Sequence, residues 1–345
     1  MGGRGGEVIG YLAGRLGHAA ITLVVAVSLV FVSVRIIPGD PLLARFGQHP
    51  DPEQMARLRK EYGWDRPLVV QLGQFFWQVL TTGDLGTSLA RANQSVAREI
   101  VQRTAATVEL ASAALLLAIP LGIAAGTVAA VWRNRWPDRL AMALALGGVS
   151  IPVFFLAICL REVVTFLPAS GRLPPAARIG FAPLTHMYLL DSLLRGRGDL
   201  FLVALRHLVL PAVVLSTVPM AVIARITRGA VLEVLSADYV RTARAKGNSL
   251  WQVVWRHVLP PAAVPITNIA GLQVGLLLPG AVLTETVFDW PGLGRYLAQA
   301  ILGDKDYVAA QAAAIVVALI FVTLNLLLDL VYAWLDPRIR HRVLG

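Results

Sequence analysis

The sequence predicts an all-α integral membrane protein with six transmembrane helices. Hydrophobic residues make up 56% of its 345 residues and charged residues only 15%, and the mean hydropathy is +0.65. Soluble domains carry about 25% charged residues and cannot bury so much apolar surface. The remaining charge is excluded from a few long runs, which is typical of membrane spans rather than of a soluble core.

Six uncharged runs reach or approach the roughly 20 residues that a helix needs to cross the hydrocarbon core. The fourth run is the shortest and contains Pro211 and Pro219, so we expect its helix to extend beyond the run. Arg35 and a Pro-Gly-Asp-Pro segment follow the first run where a signal peptide would have a cleavage site, which predicts a retained helix. The runs are residues 16–34, 110–131, 140–160, 208–224, 262–284 and 307–328.

The distribution of basic residues predicts that both the N-terminus and the C-terminus are cytoplasmic. With this orientation, nearly all of the formal net charge of +10 falls in the cytoplasmic segments. Because Lys and Arg concentrate on the cytoplasmic side of membrane proteins, the charge indicates topology rather than nucleic-acid binding. The cytoplasmic segments are the N-terminal tail, residues 132–139, residues 225–261 and the tail after residue 335.

The segment between the first two spans is predicted to be a structured extracytoplasmic cap rather than a linker. A helix is expected over residues 52–62, with Asp51 as its N-cap and charges of both signs on its surface. The predicted organisation therefore has three parts. These are a cytoplasmic tail with the first helix (1–37), the cap region (38–107) and a five-helix core (108–345).

The cytoplasmic loop between the fourth and fifth spans, residues 225–261, is long, basic and helix-prone. Its first short helix is expected to end at Gly247 in a left-handed turn, and a second helix over 250–259 is expected to stop at Pro260 and Pro261. One interpretation is a knob of small residues that enters a groove on a partner protein. The alternative is a surface helix whose arginines bind lipid phosphates of the inner leaflet.

The sequence contains no site for chemistry of its own. No Gly-x4-Gly-Lys-Ser/Thr string occurs, the six histidines are scattered and the one cysteine has no partner, so we predict no catalytic residue, no metal site and no enzyme activity. No span has an acidic residue near its middle, which argues against an ion-coupled secondary transporter, the alternative from another class. Charged residues close to the spans are expected at the membrane interface. They are Glu109, Arg161, Glu162, Arg206 and Asp329.

Residues 241–260 resemble the coupling loop of ABC importer permeases. In that pattern three residues separate Glu-Ala-Ala from a glycine, and nine residues separate the glycine from Ile-x-Leu-Pro. Ala243, Gly247 and the Leu259-Pro260 pair match this pattern, whereas Arg241 and Thr242 replace Glu-Ala and His257 replaces Ile. The stretch 238–247 is similar to the variant of the dipeptide and oligopeptide branch. Further motifs occur in the family's order at residues 35–41, 83–88, 283–294 and 336–340.

This resemblance, which covers nearly the whole chain, is to the B-type permease subunit of dipeptide importers. It implies a type I ABC importer permease fold and ATP-driven import of dipeptides or short oligopeptides across the inner membrane of a prokaryote. The implied partners are a second homologous permease, two cytoplasmic ABC ATPases that bind ATP and Mg²⁺, and an extracytoplasmic peptide-binding protein. Membrane lipid surrounds the chain, and no cofactor or nucleic acid is implied. A nickel-complex importer permease is the alternative.

The coupling loop is the first candidate site, because the resemblance assigns its contact with the ATPases. Its candidate residues are Ser236, Ala237, Asp238, Tyr239, Arg241, Thr242, Ala243, Arg244, Ala245, Lys246, Gly247, Leu259 and Pro260.

The fifth span supplies the second candidate site, a translocation path with an outer gate. Asn268 and Gln273 lie within the span and are candidates for the path. Glu285, Asp289 and Trp290 follow just outside it, where acidic groups could attract the amino terminus of a peptide.

Two pairs of glycines are predicted to be helix-packing surfaces. Gly122 and Gly126, like Gly271 and Gly275, are spaced one helical turn apart and allow close helix approach in lipid. The second pair could alternatively line the translocation path. The Pro-Gly pair at 279–280 is expected to interrupt the fifth helix near its outer end.

Overall fold

A computed structural model describes residues 3–36, 52–61, 63–90, 94–179 and 181–335. Within these ranges the backbone is predominantly helical, and the one pairing of extended backbone is the bridge between Thr87 and Ser95. The chain divides into two compact units. One comprises Met1–Thr107 with Pro291–Leu326, and the other Val108–Trp290 with Leu327–Gly345. Since this grouping follows contacts rather than membrane sides, the predicted three-part division stays a prediction.

Four helices in the described ranges are long and apolar enough to cross a membrane. They are α1 (Gly3–Ile36), α4 (Val96–Val131), α9 (Gly198–Leu235) and α14 (Tyr307–Leu335). Helix α9 extends well beyond the uncharged run 208–224 and keeps both of its prolines inside, as predicted.

Two bent helix pairs are also long and apolar enough to cross a membrane. The predicted total of six spans is reached when each pair crosses once. In the first, α5 (Trp136–Ser150) and α6 (Val153–Val163) meet at 106°. A continuous third span was therefore the wrong prediction. The break falls at Ile151, whose backbone is extended because the next residue, Pro152, disfavours helical dihedrals in the residue before it.

The second bent pair runs from Leu250 to Val287 and includes α12 (Leu259–Val287), the fifth span of the sequence analysis. The axis turns by 52° between residue 277 and residue 281. The helix is nevertheless assigned without a break from Leu259 to Val287, so an interruption at the Pro-Gly pair 279–280 stays a prediction.

The first unit contains α1, the short helices α2 (Pro52–Glu61) and α3 (Leu68–Thr82), the start of α4, then α13 (Leu293–Leu302) and most of α14. Helix α2 confirms the predicted cap helix, while its expected N-cap, Asp51, lies outside the described residues, as do motif residues 37–41 and 336–340. The core of this unit joins α4, α13 and α14. Its buried residues are Val96, Ile100, Leu293, Tyr296, Ala300, Ala309, Ala310, Ala312 and Ala313.

Asp306, directly before α14, explains the motif at residues 83–88. Its buried carboxylate caps the helix by accepting from the amide of Ala309 and also accepts from the Ser88 hydroxyl and the amide of Leu89. Gly86 lies so close that a Cβ there would be 2.9 Å from a methyl group of Val308, and its φ of +93° favours glycine. The motif is therefore a docking segment for the start of α14.

The second unit contains the rest of α4, then α5, α6, the short helices α7 (Pro175–Arg178) and α8 (Tyr188–Leu194), and α9. It continues with α10 (Asp238–Ala245), α11 (Leu250–Val253), a π-helical turn (Val254–Val258) and α12. Helix α9 is central, because it packs against α5, α6, α8 and α12.

Gly122 and Gly126 bring α4 into close contact with α9, which confirms the predicted packing role of this pair. A Cβ on Gly126 would lie 2.4 Å from the carbonyl oxygen of Ala224 and 2.6 Å from Cβ of Thr227. A Cβ on Gly122 would meet Ile223 at 2.9 Å. Gly271 and Gly275 are buried in α12, and their role stays a prediction.

Replacing Gly126 with alanine is expected to destabilise the protein, because the contacting atom is backbone and cannot move aside. Overpacking of this kind costs about 1–3 kcal/mol. Gly147 in α5 is the matched control, since a Cβ there meets nothing within 4 Å and alanine should be neutral or stabilising. Thermal unfolding of the two detergent-purified variants measures the difference, and equal unfolding temperatures would contradict the close α4–α9 contact.

Candidate functional site

The predicted coupling loop is a helix-turn-helix at the end of α9, and α10 has two distinct faces. Val240 and Ala243 are buried and pack into an apolar cluster of the second unit. The other cluster members are Ala130, Ala230, Val231, Val253, Val258, Ala262 and Ile266. The opposite face of α10 is uncovered in this chain, so the loop is anchored on one side and available for contact on the other.

The exposure of the candidate residues follows this division. Ala243 is buried, and Ala237 and Leu259 are half-buried. The exposed candidates are Ser236, Asp238, Tyr239, Arg241, Thr242, Arg244, Ala245, Lys246, Gly247 and Pro260. Ala243 and Ala245 therefore differ, because Ala243 packs against its own chain and Ala245 faces outward.

The turn after α10 has the predicted left-handed glycine. Gly247 has φ of +86°, and the side-chain amide of Asn248 donates to the carbonyl of Ala243 at 2.9 Å. The next helix, α11, begins with a capping box in which Ser249 and Gln252 each bond the other's backbone amide. These short-range bonds hold the exposed face of α10 in one orientation.

The predicted end of the second loop helix at Pro260 and Pro261 is wrong. The chain instead widens into the π-helical turn Val254–Val258 and continues directly into α12, whose first turn contains both prolines. Both prolines come just after the π-helical turn, and π-turns often mark functional sites. The coupling loop is thus continuous with the helix that carries the second candidate site.

Two contacts brace the root of the coupling loop against the turn between α4 and α5. Asp138 accepts both guanidinium bonds of Arg228, at 2.6 and 2.7 Å, and also the amide of Asn134 at 2.8 Å. The rings of Trp132 and Trp251 meet edge to face, with centroids 6.0 Å apart. A bidentate pair fixes orientation as well as distance, so α9, α11 and this turn are linked into one assembly.

The second candidate site differs in part from its prediction. Glu285 lies inside the last turns of α12 and is fully buried, rather than just outside the span. Trp290 is also buried, whereas Asp289 is exposed at a left-handed turn with φ of +50°. The predicted gate role of these residues is not tested by their positions.

The path candidates within α12 lie on different faces. Asn268 is exposed, whereas Gln273 is buried inside the unit. Asn268 and Glu285 are separated by about 25 Å of helix at 1.5 Å per residue, so the structure does not bring them together. The assignment of Asn268 and Gln273 to the path stays a prediction.

A buried ion pair next to Trp290 was not foreseen from the sequence. Glu109 was expected at the membrane interface, but it lies in the interior of α4, is 6% exposed and pairs with Arg172, which is 4% exposed. Glu109 also accepts the amide of Leu189 at 2.7 Å, and Arg172 donates to the carbonyl of His186 at 2.8 Å.

Aromatic rings complete the surroundings of Arg172. Its guanidinium lies 3.9 Å from the ring centroid of Tyr188 and 5.4 Å from that of Trp290. The adjacent residue, Gly171, donates its amide to the carbonyl of Phe288 at 2.9 Å. This cluster, which we call the Arg172 hub, joins α4, the segment around α8 and the turn after α12.

The sequence carried one signal for the hub, which was that the helical pattern of α4 begins well before Glu109 and makes this acid an interior residue. Nothing in the spacing identified Arg172 as its partner, 63 positions away. Among the described residues, no three His, Cys, Asp or Glu side chains lie close enough together to hold a metal ion.

Comparison with known proteins agrees with this architecture. Residues 118–341 match the family described as binding-protein-dependent transport system inner membrane component, and residues 8–111 match the corresponding N-terminal family. The spanning helices and the family match are those of a membrane permease of an ABC transport system. The chain belongs to the binding-protein-dependent transport system inner membrane component family and is accordingly an inner-membrane protein.

Curated relatives align over nearly their whole length. The chain is 42% identical to the dipeptide transport system permease protein DppB of Alkalihalophilus pseudofirmus, over 93% of this chain and 96% of the relative. It is 41% identical to the protein of the same name from Escherichia coli K12, over 96% and 99%. The glutathione transport system permease protein GsiC of Salmonella paratyphi A is 37% identical, over 97% and 100%.

A solved structure supports the fold. The inward-facing MetNI methionine ABC transporter matches with a TM-score of 0.51 over 69% of this chain and 96% of that chain. Its sequence identity of 17% is low, so this likeness concerns the fold alone.

Proposed function

We propose that this chain is a permease subunit of an ATP-driven importer that carries dipeptides or short oligopeptides across the inner membrane. Dipeptides are favoured because relatives more than 40% identical over nearly the whole chain are named as dipeptide permeases. The observation that carries the coupling role is the two-faced helix α10, anchored through Val240 and Ala243 and exposed on its other side.

The proposed assembly contains a second homologous permease, two cytoplasmic ABC ATPases and an extracytoplasmic peptide-binding protein. ATP and Mg²⁺ are bound by the ATPases, since the chain has no phosphate-binding loop. The exposed face of α10 enters a groove on one ATPase, where the outward Ala245 and the turn at Gly247 leave room for close approach.

In this proposal the permease converts closure of the ATPases into movement of its helices. A displaced α10 pulls on α9 directly and on the α4–α5 turn through the Asp138–Arg228 pair and the contact between Trp132 and Trp251. The π-helical turn passes the same movement into α12, because no loop separates them. Rigid elements joined by short contacts can carry such motion without unfolding.

At the outer gate, Asp289 is the acid we assign to attraction of the peptide's amino terminus, because it is exposed whereas Glu285 is buried. The Arg172 hub holds the neighbouring Trp290 and therefore positions this turn. Both assignments rest on the proposed direction of transport.

Uptake by the reconstituted complex tests the function. We expect proteoliposomes that contain both permeases, the ATPases and the binding protein to transport a labelled dipeptide only when ATP is present. The ATP must be on the side of the membrane that carries the ATPases, and the dipeptide should accumulate on that side. An ion-coupled carrier would instead accumulate the dipeptide along an imposed ion gradient without ATP. Uptake of a nickel complex with no uptake of peptides would favour the alternative substrate class.

A further inference from the structure

Helix α3, in the region predicted to cap the outer face, has one face on α1 and an uncovered apolar face opposite. Gln71 and Phe75, one turn apart, contact α1, as Gln71 accepts from Arg35 at 2.9 Å and Phe75 meets Phe31 at a centroid distance of 5.6 Å. At 100° per residue, Val69 and Leu80 point away from α1. Each is 80% exposed.

The contacts with α1 set the depth of α3 relative to the membrane. The uncharged run of α1 ends at Val34, and the residues of α1 that contact α3 are Arg35 and, one turn earlier, Phe31. One helical turn is about 5.4 Å. Helix α3 therefore lies at the level where α1 leaves the hydrocarbon.

The composition of α3 suits this depth and excludes a crossing. Its 15 residues span about 22 Å, short of the roughly 30 Å of a hydrocarbon core. No charged residue lies within Leu68–Thr82, whereas Asp65 and Arg66 precede the helix and Asp84 follows it. Charged residues at both ends keep the ends in the polar region while the uncharged middle is free to enter the apolar one.

We propose that α3 is an interfacial helix, with Val69, Trp77 and Leu80 in contact with lipid acyl chains of the leaflet in which the uncharged run of α1 ends. Trp77 is 72% exposed at the border of the apolar face, and tryptophan is enriched at membrane–water interfaces.

Lipid is the occupant that continuity with α1 favours. The membrane-spanning part of α1 is itself largely uncovered, with side chains such as Ile21 and Leu29 more than 60% exposed. A helix that contacts the end of this span, carries no charge and exposes an apolar face extends the same lipid-facing surface. The cap region is thereby attached to the membrane at a second place besides the spans, which restrains its tilt.

Spin-label accessibility in lipid nanodiscs tests the proposal on the complete transport complex. The single native cysteine is removed (Cys159→Ser), and one label is attached at Val69→Cys, Leu80→Cys or the control Gln74→Cys. Gln74 is exposed on the same helix but lies about 120° around from Leu80. Oxygen concentrates in the hydrocarbon, whereas a charged nickel chelate stays in water.

We expect labels at positions 69 and 80 to be relaxed by oxygen and shielded from the nickel chelate, while the label at position 74 is open to the chelate. Equal chelate access at positions 74 and 80 would overturn the proposal in favour of a water-exposed face. Low access of both reagents at positions 69 and 80 would overturn it in favour of a protein partner, such as the second permease. The outcome does not depend on the identity of the transported substrate.

Discussion

Replacing Glu109 with alanine is expected to destabilise the permease strongly. The substitution leaves the guanidinium of Arg172 buried and without its carboxylate. Removing one partner of a buried ion pair costs about 3–5 kcal/mol. It also leaves the partly buried amide of Leu189 without its acceptor, which adds to the loss. Thermal unfolding of the purified complex should show a large drop in unfolding temperature.

The exposed pair of Arg197 and Asp199 provides the matched control. Nη2 of Arg197 lies 2.7 Å from Oδ2 of Asp199, yet both side chains are at least half exposed. Solvent screens exposed pairs, so Asp199→Asn should change the unfolding temperature little. The double variant Glu109→Leu with Arg172→Met should recover part of the stability, because no buried charge remains. Equal effects of Glu109→Ala and Asp199→Asn would contradict a buried pair.

Replacing Ala245 with tryptophan is expected to abolish copurification of the ATPases while leaving the unfolding temperature of the permease unchanged. Ala245 is on the exposed face of α10, so the added ring meets only what docks there. The same substitution at Ala243, on the buried face of α10, should instead lower the unfolding temperature of the permease, because overpacking a core costs about 1–3 kcal/mol. Pull-down of the ATPases and thermal unfolding of the permease separate the two effects.

Normal ATPase recovery with Ala245→Trp would contradict docking through this face. A lipid-binding loop makes the opposite prediction. Neutralising Arg241 and Arg244 would then weaken the contact of the loop with the membrane surface, and replacing Ala245 would have no effect. The comparison of Ala243 with Ala245 could not be designed from the sequence, where both are small residues near charges. Their difference depends on the cluster beneath α10.

Much of the architecture followed from local patterns. Uncharged runs predicted the spans, the turn at Gly247 was predicted from its glycine, and the spacing of Gly122 and Gly126 predicted a close helix contact. Each of these signals acts within one or two helical turns. One wrong prediction also concerned a local signal. Pro260 and Pro261 were expected to end a helix, but they lie in the first turn of α12.

The sequence by itself determined that this protein is a helical membrane permease and which of its loops forms an exposed helix-turn-helix, because hydropathy, turn residues and motifs act over short stretches of chain. Only the tertiary structure decided that the third span bends, which face of α10 is exposed and that Glu109 pairs with Arg172. The physical reason is that these features depend on residues brought together from distant positions, where burial and partner geometry outweigh any local preference.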